Sequence, residues 1–122
     1  MKPIRELNEG ELDRAVAIEI MGWELVDMSE DPHDQWWVWH KRGHHQRSIP
    51  CWKPATYIGD AWDVIKKMQE KGYNTQLIVN SNGGVECSFW LDGSYYLGDH
   101  LGGASIPTTI CMAALEAERN AK

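Results

Sequence analysis

TQLIVNSNGGVECSFWL, residues 75–91, decides the fold. Thr75–Asn80 and Val85–Leu91 are runs of β-branched, aromatic and apolar residues that read as strands. Ser81-Asn82-Gly83-Gly84 separates them and contains Asn-Gly, the strongest short-range hairpin signal. The pair is therefore antiparallel. A third strand is expected at Ser94–Leu97, after the Asp92-Gly93 turn.

Helices flank this hairpin. Upstream, Ala61, Val64, Ile65 and Met68 recur at helical spacing, which predicts a helix from about Gly59 to Lys71. Asp60 or Thr56 is the expected cap at its start, and Gly72 closes its end. Downstream, Ser105 caps a helix running to about Ala117, with Pro107 in the first turn. Its buried stripe is Ile110, Cys111, Ala114 and Leu115, and the polar tail beyond is expected to fray. A helix over Ile4–Met21 opens the chain, with Leu12, Ala15, Val16 and Ile20 on one face. Asn8 and Glu11 have the spacing of a capping box, and Gly22 is placed to end the helix. Trp23–Met28 alternates as a strand or extended run does, and Trp36–Trp39 is β-prone. Gly43–Pro54 reads as a loop because it holds Gly43, Pro50 and Pro54 and has no period. The expected fold is a layered α/β (α+β) architecture, an α-β-α sandwich of three main helices on a small antiparallel sheet.

Composition bounds the class. The chain has 122 residues with 43% apolar and 25% charged, which suits one globular domain, residues 1–122. No apolar run reaches the roughly 20 residues that span a bilayer, and Met1–Glu11 lacks the apolar core of a signal peptide. Cys51, Cys87 and Cys111 form no paired framework, so reduced thiols in a cytoplasm are the expectation. The net charge is −6, which argues against binding long nucleic acid. The charge is uneven. Between His33 and Pro54 stand Lys41, Arg42, Arg47 and Lys53 against Asp34 alone, net +3, leaving −9 for the rest.

Three stretches resemble the phage ABA sandwich domain, a small bacteriophage and prophage family. The first is the helix ending in Met21-Gly22-Trp23. The second is Pro54-Ala55-Thr56-Tyr57-Ile58-Gly59-Asp60-Ala61-Trp62, similar to the family's entry into its second helix, although Ile58-Gly59 stands where Ser-Thr usually follows Tyr. The third is Ala104–Leu115, with Ile110-Cys111 and Ala113-Ala114-Leu115. The resemblance spans about Leu12 to Leu115. It implies an α-β-α layered fold and a phage origin, and it carries no activity and no catalytic residue with it.

The individual feature is the segment 32–54, an aromatic and basic insert. Trp36, Trp37, Trp39 and Trp52 are four of seven tryptophans, interleaved with His40, Lys41, Arg42 and Arg47. Flat rings stack on bases and guanidinium groups grip phosphates. The alternative is a core strand with a basic rim, or a protein interface, where tryptophans are also common. With Lys53 and Tyr57, these residues make the candidate binding set for an anionic aromatic ligand. A cyclic dinucleotide or ADP-ribose derivative is the concrete case, held by a non-enzymatic sponge that sequesters a nucleotide immune signal. Such a sponge is expected to be a homo-oligomer. The alternative is a module that binds and disables a host enzyme through the same tryptophans.

Other chemistry is weaker. His33, His40, His44, His45 and Cys51 cluster in sequence, and His40 and His44 would share a helix face. Their spacing matches no structural zinc pattern, so no metal or cofactor is expected and a metal-dependent hydrolase ranks last. Gly98–Ser105 either makes a turn or offers N–H groups to an anion at the start of the last helix. Asp99, His100, Ser105 and Cys111 can be drawn as a triad, but sequence proximity gives no geometry. Cys111 lies on an apolar face, so it is expected to be buried and inert. Tyr57 and Trp62 either line a pocket or form a lid over the core.

Overall fold

The computed structural model describes residues 2–27, 37–41, 44–48, 52–93, 98–102 and 105–121. Among these residues it is an α+β sandwich of three α-helices and two small antiparallel sheets. The helices are α1 (Glu9–Glu19), α2 (Ile58–Glu70) and α3 (Ile106–Asn120). One sheet has the order β1 (Glu24–Asp27), β2 (Trp37–Lys41), β3 (His44–Ser48). The other has the order β4 (Tyr73–Val79), β5 (Val85–Leu91), β6 (Gly98–Gly102).

The first helix is shorter than its periodicity suggests. Ile4–Glu6 forms a separate 3-10 turn, and α1 starts only after Asn8. The reason is the capping box. Asn8 Oδ1 accepts from Glu11 N–H at 2.8 Å, and Glu11 Oε1 accepts from Asn8 N–H at 3.1 Å. This pairs two amide donors that a continuous helix would bond elsewhere. Gly22, at φ +73°, lets the chain leave, and Trp23 N–H returns to Ala17 O.

α2 starts without a side-chain cap. Tyr57 holds the cap position, Asp60 accepts from Lys53 N–H and Thr56 donates to Glu9, so neither expected cap acts as one. At the other end Gly72, at φ +97°, turns the chain into β4 as expected. Seven unbroken pairs join β4 to β5, from Tyr73–Leu91 to Val79–Val85. Their loop is Ser81–Gly83, with Gly83 at φ +91° and Asn80 N–H bonded to Gly84 O.

Two strands replace expected loops. His44–Ser48, read as loop, pairs with β2. Gly98–Gly102, read as turn, pairs with β5, Asp99 opposite Ser88 and His100 opposite Cys87. Neither run is apolar, and a ladder of backbone bonds needs no apolar pattern. The strand expected at Ser94–Leu97 lies outside the described residues.

The core lies between β4–β6 and the helices. α3 packs against α1, α2, β5 and β6, and α2 packs on β4. α3 is buried nearly all round: Thr109, Ile110, Cys111, Ala113, Ala114, Leu115 and Ala117 are all fully covered. A helix apolar on every side belongs at the centre of a fold. Its tail does not fray, because Arg119 donates twice to the Glu19 carboxylate, at 2.9 and 2.8 Å, tying α3 to the end of α1. Lys71 similarly reaches Glu118 at 2.8 Å.

Trp52 also belongs to this core. It is fully buried, and its ring centroid lies 4.6 Å from that of Trp23 at a 56° tilt. The expectation that Trp52 stacks on a ligand is corrected: its faces are already covered by protein.

Candidate functional site

The aromatic and basic segment folds back on itself. β2 pairs with β1 in regular antiparallel register, Leu25 opposite Trp39 and Asp27 opposite Trp37. On its other side Trp39 faces Arg47 and Val38 faces Ser48. A bulge between Trp39 and His40 shifts the remaining pairs to His40–His45 and Lys41–His44. Bulges re-aim the residues beside them and mark functional strands in many folds. The helical pairing imagined for His40 and His44 is thereby replaced: the cross-strand partner of His40 is His45.

Of the candidate binding residues, Trp37, Trp39, His40 and Lys41 lie in β2 and Arg47 in β3. Trp36 and Arg42 lie outside the described residues, as do His33 and Cys51. Trp52 is in the core. Lys53 is half-buried, and Tyr57 is exposed at the start of α2. The register thus brings the Trp39 and Arg47 positions together, and Trp52 goes elsewhere.

Residues 52–57 return this segment to the helices through a clasp that the sequence did not reveal. Four acids hold it. Trp52 Nε1–H points at Asp63 Oδ2 at 3.4 Å, a long contact. Lys53 N–H donates to Asp60 at 2.9 Å, Ala55 N–H to Asp13 at 2.8 Å and the Thr56 hydroxyl to Glu9 at 3.1 Å. On the remaining side Thr108 of α3 donates its hydroxyl to Ala55 O at 2.8 Å. All three helices therefore grip one short loop.

Asp13 is the unusual member, with 6% of its surface exposed. Burial pushes its carboxyl up to about 6, since a carboxylate loses its hydration there. The Ala55 N–H and the Lys53 charge oppose this rise, while Glu9 and Asp60 add to it. The available signal was an acid inside the apolar stripe of α1, beside Leu12, Val16 and Ala17.

The Cys111 thiol and the Ser105 hydroxyl have roles other than a triad's. Burial pushes the Cys111 thiol well up, with the Asp13 and Cys87 charges adding to it, so it resists forming the thiolate. Ser105 accepts from Thr108 N–H and donates to the Thr108 hydroxyl, which is the work of an N-cap. Tyr57 and Trp62, at the start of α2, are each about half exposed.

No helix among the described residues is long and apolar enough to cross a membrane. The family model of the phage ABA sandwich domain matches residues 14–115. No curated protein and no solved structure matches the chain.

Proposed function

This chain belongs to the phage ABA sandwich domain family, and on that premise we propose that it is a non-enzymatic binding protein for an anionic aromatic ligand. The ligand class is a nucleotide immune signal, a cyclic dinucleotide or an ADP-ribose derivative, which the protein sequesters as a sponge during host defence. The site is the β1–β3 sheet. One observation carries the reading: Arg47 stands directly across from Trp39 in a segment of net +3 on a chain of net −6. A guanidinium beside a large ring suits a phosphate next to a base. Trp36, Trp37 and Trp39 supply stacking surface, and Lys41, Arg42, Arg47 and Lys53 supply positive charge. His40 lies at the bulge between the two sets.

Calorimetry against a panel of cyclic dinucleotides and ADP-ribose derivatives tests this. At least one member binds with micromolar affinity or better, and binding weakens as salt rises. A panel with no binding below the millimolar range overturns the proposal.

A further inference from the structure

The histidine cluster of the aromatic and basic segment has a definite place on the β1–β3 sheet. His40 belongs to the central strand, β2. On one side its register partner is Glu24 of β1. On the other side its partner is His45 of β3. Directly paired positions of antiparallel strands lie on the same face of a sheet. Glu24, His40 and His45 therefore form a row across all three strands, on one face.

The bulge makes this row. Val38–Ser48 and Trp39–Arg47 pair in step, and regular alternation from there would set Gln46 opposite His40. Gln46 is instead the extra residue of the bulge, and His45 takes the partner position. The same slip keeps the His45 position off the face that holds the Arg47 position, although only Gln46 separates them in sequence. Glu24 is exposed, and no cation among the described residues pairs with it.

We propose that Glu24, His40 and His45 bind one divalent transition-metal ion. Two imidazoles and a carboxylate form a ligand set of borderline softness, which suits zinc, iron(II), nickel or copper. Calcium and magnesium prefer oxygen throughout. Neighbouring strands lie about 4.7–4.9 Å apart, so the outer two positions of the row are roughly 10 Å apart with His40 between them. Glutamate and histidine are long enough to share one ion across that span, at about 2.0–2.2 Å from each ligand atom. Three protein ligands leave a fourth position for water.

Sequence spacing hides such a site. The recognisable zinc patterns take their ligands in close pairs from one turn or helix. Here each ligand comes from a different strand, and Glu24 lies outside the 32–54 segment. Alternation along β2 puts the Trp37 and Trp39 positions on the opposite face, with that of Arg47. The ion and the nucleotide proposed above thus occupy different faces of one sheet.

Titration calorimetry of the full chain, stripped of metal by a chelator, against zinc chloride tests the proposal. One zinc binds per chain with micromolar affinity or better. Binding weakens as pH falls below about 6.5, where imidazole takes up protons. His45→Ala raises the dissociation constant at least about tenfold, since even outer partners of a metal site are worth about 10–100-fold. Glu24→Gln, at an exposed position, weakens binding severalfold and serves if His45→Ala misfolds. His44→Ala, at the position paired with Lys41 on the other face, leaves zinc binding unchanged. A chain that binds no zinc below the millimolar range overturns the proposal. So does zinc binding that neither His45→Ala nor Glu24→Gln weakens, or that His44→Ala weakens equally. The titration contains no nucleotide, so its result is independent of the ligand proposed for the opposite face.

Discussion

The two sheets contrast sharply. In β4–β6, the positions facing the helices are apolar and covered: Val85, Cys87 and Phe89 of β5 are all buried. That sheet exists because it closes a core. The β1–β3 sheet pairs WVWHK with HHQRS, and its ladder of backbone bonds holds residues that no apolar pattern would have aligned. One sheet supplies stability, and the other is the proposed site. The difference teaches that tryptophan content alone does not locate a site. Trp52 belongs with the first region and Trp39 with the second, thirteen positions apart in one segment.

The comparison breaks most visibly at Trp52. Trp52→Ala is expected to cost about 3–5 kcal/mol, because it opens a cavity beside Trp23. Urea unfolding measures this. A loss under about 1 kcal/mol would place Trp52 outside the stabilising core.

Asp13 probes the joint between the regions. The folded protein holds its proton more tightly than the unfolded chain, in which an aspartate titrates near its ordinary, lower value. Its ionisation therefore opposes folding. Stability from this group is greatest below about pH 4, falls as pH rises to about 6 and is level above that, a change of about 2–3 kcal/mol. Asp13→Asn removes the titration and keeps an oxygen for the Ala55 N–H. The wild type should lose about 2–3 kcal/mol relative to Asp13→Asn between pH 4 and pH 7, read by denaturation at each pH. A difference that does not change with pH would contradict the burial of the carboxylate.

The proposed site answers to a smaller change. Trp39→Ala or Arg47→Ala should weaken nucleotide binding about tenfold or more, roughly 1.4 kcal/mol, by calorimetry. Binding that survives both substitutions moves the site off this sheet. The smallest effect is at the far end of the core. Arg119→Ala breaks the pair with Glu19, whose side chains keep about a fifth of their exposure, and costs about 1 kcal/mol or less. Ligand affinity should not change, and a parallel loss of both would mean that the two regions are coupled.

Much of the fold was legible locally. The Asn8–Glu11 capping box, Ser105 at the start of α3, Gly72 after α2 and the β4–β5 hairpin are each written in residues within a few positions of one another. These features depend on backbone geometry and near-neighbour hydrogen bonds, so sequence spacing suffices to find them. The site was legible only in part. Its basic and aromatic composition could be read, but the pairing of Trp39 with Arg47 depends on a bulge that composition does not encode.

The sequence by itself determined the helices, the N-caps of α1 and α3, the central hairpin and the charge split, because periodicity and caps act over one or two turns. Tertiary structure decided the rest. It turned His44–Ser48 and Gly98–Gly102 into strands, since a neighbouring strand offered their backbone groups partners. It sent Trp52 into the core, where Trp23, 29 positions earlier, was waiting to cover it. It buried Asp13 against Ala55, 42 positions away, and so changed the proton affinity of a carboxyl whose place in the apolar stripe of α1 hinted at burial but not at its partner. Burial depends on which surfaces meet, and surfaces brought together from distant parts of a chain leave no local pattern to read.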